Sequence, residues 1–151
     1  MRPTRRASII AVGVALALVA MLLLPLTWPS ERRLKAALAQ ADRVVVRSGG
    51  LCHRRPADEK LLFAIENPAD VRAFIETIQI RALPGALRCL CCGDPTFEFY
   101  QGGEMVAAIG FHHGKRLRWD GWEADGSLTR QSSAGLVQIL REHGLSAEQY
   151  D

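Results

Sequence analysis

TFEFYQGGEMVAAIGFHHGKRLRW, residues Thr96 to Trp119, is the stretch whose reading decides the fold. Its apolar residues alternate with polar ones at period two, the spacing of a strand with one buried face. Gln101-Gly102-Gly103 and Gly114-Lys115 interrupt the alternation, and glycine followed by one further residue is a favoured hairpin turn. The stretch therefore reads as three antiparallel strands, Thr96 to Tyr100, Glu104 to His113 and Arg116 to Trp119. Pairing Tyr100 with Met105 and His113 with Arg116 puts Phe97, Phe99, Val106, Ala108, His112, Leu117 and Trp119 on one face, the expected core side. The other face carries Glu98, Tyr100, His113, Arg116 and Arg118, and Met105, Ile109 and Phe111 imply partial cover there too.

Upstream, Arg43 to Arg47 has the β-branched content of a strand and ends at Gly49-Gly50, and Leu61 to Glu66 reads as another. Asn67 is an N-cap followed by Pro68 at the first helical position, and Val71, Phe74, Ile75 and Ile78 recur at helical spacing. Downstream, Thr129 caps a last helix holding Leu136, Val137, Ile139 and Leu140, with Gly144 as its stop. The order β-β-α-β-β-β-α predicts an α+β domain, a small antiparallel sheet packed against helices.

Ahead of this domain lies Ala7 to Trp28, an uncharged and almost purely apolar run preceded by Arg2, Arg5 and Arg6. Such a run is long enough to cross a hydrocarbon core of about 30 Å as a helix, and the arginines hold its start in the cytoplasm. A cleaved signal peptide shares the basic start and apolar middle, but needs small residues soon after the run. Pro25-Leu26-Thr27-Trp28-Pro29 stands there instead, and Ala37-Leu38-Ala39 lies beyond Glu31, Arg32 and Arg33. The reading is a single-pass protein of the bacterial cytoplasmic (inner) membrane: residues 1–6 a basic cytoplasmic segment, 7–28 a transmembrane anchor, 29–42 a juxtamembrane helix started by Ser30, and 43–151 an exported domain.

Topology also changes the meaning of the charge. Of 19 Lys+Arg against 16 Asp+Glu, three arginines precede the anchor and every acid follows it, leaving an exported part that is neutral. A basic balance produced by a topology signal gives no ground for a nucleic-acid partner. The expected partner is the membrane itself, through one helix.

The chemistry concentrates in Cys89-Leu90-Cys91-Cys92-Gly93, in Cys52-His53 and in His112-His113. Mixed thiol and imidazole donors suit zinc or copper. Cys89, Cys91, Cys92, His112 and His113 are the candidate ligands, with Cys52 and His53 secondary. Cys-x-Cys-Cys is not a strong zinc spacing, because adjacent thiols reach one ion only around a sharp turn, which Gly93 and Asp94-Pro95 can supply. Four cysteines in an oxidising compartment equally suit structural disulfides, with three possible pairings. The pairing of Cys52 with Cys89 is the least attractive, since it leaves a strained bond between the neighbours Cys91 and Cys92. Free or redox-active thiols are the third possibility. Arg54, Arg55, Arg116 and Arg118 form either an anion-binding patch or an ordinary solvated surface. No Ser/His/Asp order, phosphate loop or carboxylate pair is present, so a binding or interaction module ranks ahead of an envelope thiol-redox protein or enzyme using the cysteine cluster with His112 or His113.

Cys89-Leu90-Cys91-Cys92-Gly93-Asp94-Pro95, the Phe97-Glu98-Phe99-Tyr100 strand and His112-His113-Gly114-Lys115-Arg116-Leu117-Arg118-Trp119 resemble the motifs of a group of bacterial membrane-anchored proteins. That group carries a cysteine-rich turn ahead of an aromatic strand and a His-His-Gly hairpin ending in Leu-Arg-Trp. The resemblance implies no activity; it implies that the cysteine turn and the His-His hairpin belong to one site.

A reporter fused after Asp151 should be active only outside the cytoplasm, and the full-length chain should stay with membranes. Recovery of a shortened soluble form starting near Asp42 would show instead that the apolar run is a cleaved signal.

Overall fold

Local signals and tertiary register together build the sheet. The computed structural model describes residues 28–53, 58–81 and 88–146. The membrane-anchor expectation falls on residues outside these, apart from Trp28, and among the described residues no helix is long and apolar enough to cross a membrane. The elements are α1 (Glu31–Leu38), β1 (Arg43–Arg47), β2 (Leu61–Ile65), α2 (Pro68–Thr77), β3 (Thr96–Gln101), β4 (Glu104–His112), β5 (Arg116–Trp119), β6 (Gly126–Ser127) and α3 (Arg130–Glu142). The strands form one antiparallel sheet in the order β2-β1-β3-β4-β5-β6. Two-residue β6 is too short to leave a periodic signal in the sequence.

Each helix starts where a side chain accepts an otherwise unpaired backbone N–H. Ser30 accepts from Arg33, Asn67 from Ala69 at 2.8 Å, and Thr129 from Ser132 at 3.1 Å. Gly144 ends α3 with φ +81°, and Leu145 donates back to the Leu140 carbonyl at 3.0 Å, the six-to-one bond that closes a helix C-terminus.

The core lies between the helices and one sheet face. Val44, Val46, Phe97, Phe99, Ile109, Phe111 and Leu117 meet Val71, Phe74 and Ile78 of the α2 segment and Leu136 and Leu140 of α3. Phe74 stands edge-on to Phe97 with centroids 5.2 Å apart, a favourable quadrupole geometry. Leu34 and Leu38 of α1 are fully buried in the same core. Expected as a juxtamembrane lead-in, α1 is thus an integral part of the domain's packing.

The expected face of β4 is corrected. Tyr100 does pair with Met105, but the next pair is Phe99 with Ala107, so Val106 is the extra residue of a β-bulge. A one-residue shift turns every later side chain to the other face. Ala107, Ile109 and Phe111 therefore face the core in place of Val106, Ala108 and His112, and Val106 is exposed. The reason is area: burying Ile109 and Phe111 removes far more apolar surface from water than burying Val106 and Ala108. The second turn also differs, with His112 rather than His113 opposite Arg116.

Ile109→Ala should cost about 2–5 kcal/mol of stability, whereas Val106→Ala should stay within about 0.5 kcal/mol. Denaturant midpoints of the two variants check the phase of β4, since the unbulged register predicts the reverse order.

Candidate metal centre

Arg118 organises the sheet face turned away from the core. It projects from β5 opposite Gly110, is 6% exposed, and grips Asp125 with both arms: Nε to Oδ1 at 2.8 Å and Nη2 to Oδ2 at 2.9 Å. Its remaining donors reach the cysteine segments, Nη2 to the Cys89 carbonyl at 2.6 Å and Nη1 to the Cys91 carbonyl at 3.0 Å and to Cys52 Sγ at 3.1 Å. All five guanidinium N–H groups are thereby used. Asp125 Oδ2 also accepts the Cys89 N–H at 2.7 Å, so one buried ion pair holds Cys89 by both its backbone groups. Burial alone would push the Asp125 carboxyl up, but the hydrogen bonds from Arg118 and Cys89 and the guanidinium charge outweigh it and hold the group below its ordinary 3.8. Arg118 is expected on an exposed patch with Arg116; it is instead buried.

The cysteine loop is seated over β4. Asp94 N–H donates to the Phe111 carbonyl and Phe111 N–H to the Pro95 carbonyl, each at 2.9 Å, and the Asp94–Pro95 peptide is cis. Gly93 has φ +74°, and a Cβ there would stand 2.6 Å from His112 Nε2. Glycine is required both for the turn and for the close approach of backbone to imidazole.

Two histidines that follow one another along a strand point to opposite faces. Here the strand ends at His112, and His113 takes φ +47°, a left-handed conformation costly for a residue with a Cβ. The twist swings both rings to the cysteine loop. Cys91 Sγ lies 3.1 Å from His112 Nδ1 and 3.2 Å from His113 Nε2, and Cys89 Sγ lies 3.9 Å from His113 Nε2. The donor atoms of Cys89, Cys91 and His112 all fall within 4.8 Å of one another. The Cys89 and Cys91 sulfurs are within bonding reach of each other, forming a disulfide across one intervening residue. His112 is fully buried, and burial followed by the nearby Arg118 charge pushes its pKa down to about 4. The ring is neutral at pH 7 and has a lone pair to offer. Its Nε2 is buried with no hydrogen-bond partner among the described residues.

Of the expected ligands, Cys89, Cys91, His112 and His113 thus come together. Cys92 points elsewhere, toward Cys52, and their hydrogen bond, then burial, push the Cys92 thiol up. The side chain of His53, with Arg54 and Arg55, lies outside the described residues. Asp125 was not legible in the sequence, because a single acid in a turn carries no periodic or spacing signal. Its role exists only through Arg118.

The sulfur and nitrogen separations can be set against coordination geometry. Metal–ligand bonds of about 2.0–2.3 Å arranged tetrahedrally place neighbouring donors about 3.3–3.8 Å apart. The two distances from Cys91, 3.1 and 3.2 Å, fall just short of that interval and the 3.9 Å from Cys89 lies just beyond it, while the two sulfurs are joined and must part before both can hold one ion. No known protein family, curated protein or solved structure matches the chain.

Asp125→Asn should destabilise the domain by about 3–5 kcal/mol, because it leaves the Arg118 charge buried without its counter-ion. Denaturation midpoints measure the loss, and alkylation of Cys89 and Cys91 under reducing conditions should quicken as the loop comes free.

Proposed function

We propose that this chain is a metal-binding module of the bacterial envelope, holding zinc, or copper(I) as the other soft-ligand candidate, through Cys89, Cys91, His112 and His113. The observation that carries the reading is the gathering of the Cys89, Cys91 and His112 donor atoms within 4.8 Å of one another, with His113 Nε2 3.2 Å from Cys91 Sγ, on the sheet face turned away from the core; reduction of the Cys89–Cys91 pair frees both thiols as ligands. A mixed S2N2 set suits zinc. Four protein donors leave no open coordination position, which fits a structural or storage site rather than a hydrolytic one.

Residues 7–28 are the proposed anchor, with the domain on the outer side of the membrane. The buried state of Leu34 and Leu38 supports an uncleaved anchor, since processing near Asp42 would strip both from the core. The proximity of the Cys89 and Cys91 sulfurs favours a second reading, a thiol-redox protein. Two-electron oxidation joins these sulfurs and releases two protons, the electrons passing to an acceptor disulfide. The two readings exclude each other at any moment, because a disulfide removes two of the four donors.

The full-length chain, purified in detergent under reducing conditions and loaded with zinc, should hold one ion. Cys91→Ser and His113→Ala should weaken zinc binding at least about tenfold, while Cys52→Ser and Cys92→Ser should leave it unchanged. Chelation should lower the melting temperature of the wild type and not that of Cys91→Ser. Zinc retained at full affinity by Cys91→Ser, or no zinc bound while both thiols titrate as free, overturns the metal reading. No zinc bound with Cys89 and Cys91 recovered as a disulfide favours the redox one.

A further inference from the structure

We propose that the cleft between the β4–β5 turn and the start of α3 binds a phosphate-class anion. This inference is independent of the metal reading and uses different side chains. The cleft encloses about 620 Å³ and is lined by Arg81, Lys115, Arg116 and Arg130, by the hydroxyl residues Thr129 and Ser133, and by no acid.

The fold forces these cations together from three separate segments. Arg116 pairs with Ser127 across β5 and β6, Leu128 N–H donates to the Lys115 carbonyl at 2.9 Å, and Arg81 N–H donates to the Ser127 carbonyl at 2.8 Å. Arg130 follows as the first residue of α3, and the Ser133 hydroxyl donates to the Gly114 carbonyl, tying the helix to the turn.

Like charges gathered this way repel one another unless counter-charges are built in. Elsewhere in this chain they are: Lys35 pairs with Glu31 and Glu76, and Arg47 with Glu98. None of the four cleft cations has an ion-pair partner among the described residues. The positive end of a helix of 13 residues, with no acid in its first turn, opens on the same cleft. Three guanidinium groups offer paired donors that match the oxygens of a phosphate, and the ammonium of Lys115 adds a point charge. The ligand chemistry is an anionic phosphate group, either free in solution or at a lipid headgroup.

Titration calorimetry on the full chain in zwitterionic detergent, with inorganic pyrophosphate as the probe, tests the site. Saturable binding should weaken with added salt and should fall at least about tenfold in the exposed pair Arg81→Ala/Arg130→Ala, while Arg72→Ala on α2 leaves it unchanged. A circular-dichroism melt of the double variant confirms folding, and the single variants serve if the double one unfolds. Nanodiscs of phosphatidylcholine with and without phosphatidylglycerol separate the two sources. Loss of pyrophosphate binding in the anionic discs assigns the cleft to headgroup phosphate, and undiminished binding assigns it to a free phosphate compound. Absence of saturable binding, or equal binding by wild type and the cleft variants, overturns the proposal.

Discussion

The buried pair of Arg118 and Asp125 is the interaction on which the far side of the sheet depends. A guanidinium taken out of water is costly, and it is tolerated here because every donor finds an acceptor and the charge finds a carboxylate. Those acceptors come from segments far apart in the chain: the Cys52 turn, the backbone of Cys89 and Cys91, and the segment before β6. One side chain therefore ties these segments to one another, alongside the backbone bonds of Asp94 and Pro95 with Phe111 that seat the cysteine loop over β4. Replacing the pair with apolar residues would relieve the desolvation cost, but it would also remove the donors that fix the loop in a single geometry. The pair's contribution is specificity of placement more than net stability.

Given that placement, convergence at the site follows from two departures from regular strand geometry in β4. The bulge at Val106 turns His112 away from the core face and under the loop, where burial keeps it neutral. The left-handed residue His113 then breaks the alternation that would send its ring to the opposite side. Gly93 and Gly110 let backbone approach the imidazole closely enough to bury it, since side chains there would press on His112. Both departures cost conformational energy. They are held because Ile109 and Phe111 anchor the core side of the same strand.

The proposed metal site and the proposed anion cleft flank the β4–β5 turn. His113 precedes Gly114 on the metal side, and Lys115 and Arg116 follow it toward the cleft. The turn is a short, stiff link, closed by the Lys115 N–H to His112 carbonyl bond at 2.9 Å and held to α3 by Ser133.

Elements marked by local chemistry were legible in the sequence. Ser30, Asn67 and Thr129 announce helix starts because a side-chain oxygen at that position satisfies a backbone donor whatever the rest of the fold does. Val44-Val45-Val46 announces a strand through its β-branched content and Phe97/Phe99 through its alternation, both properties of the chain alone. The α+β class and the nearness of the cysteine turn to the His-His hairpin follow from these signals and from chain connectivity. Tertiary structure alone decided the phase of β4, the burial of Arg118 and the part played by Asp125. Each is a contest settled by packing: which face of β4 buries more area against the helices, and which carboxylate can follow a guanidinium out of water. The helices that decide the phase of β4 lie far from it in the chain, and although Asp125 stands only seven residues after Arg118, nothing in that short window says that both are buried or that the cysteine segments supply the remaining acceptors.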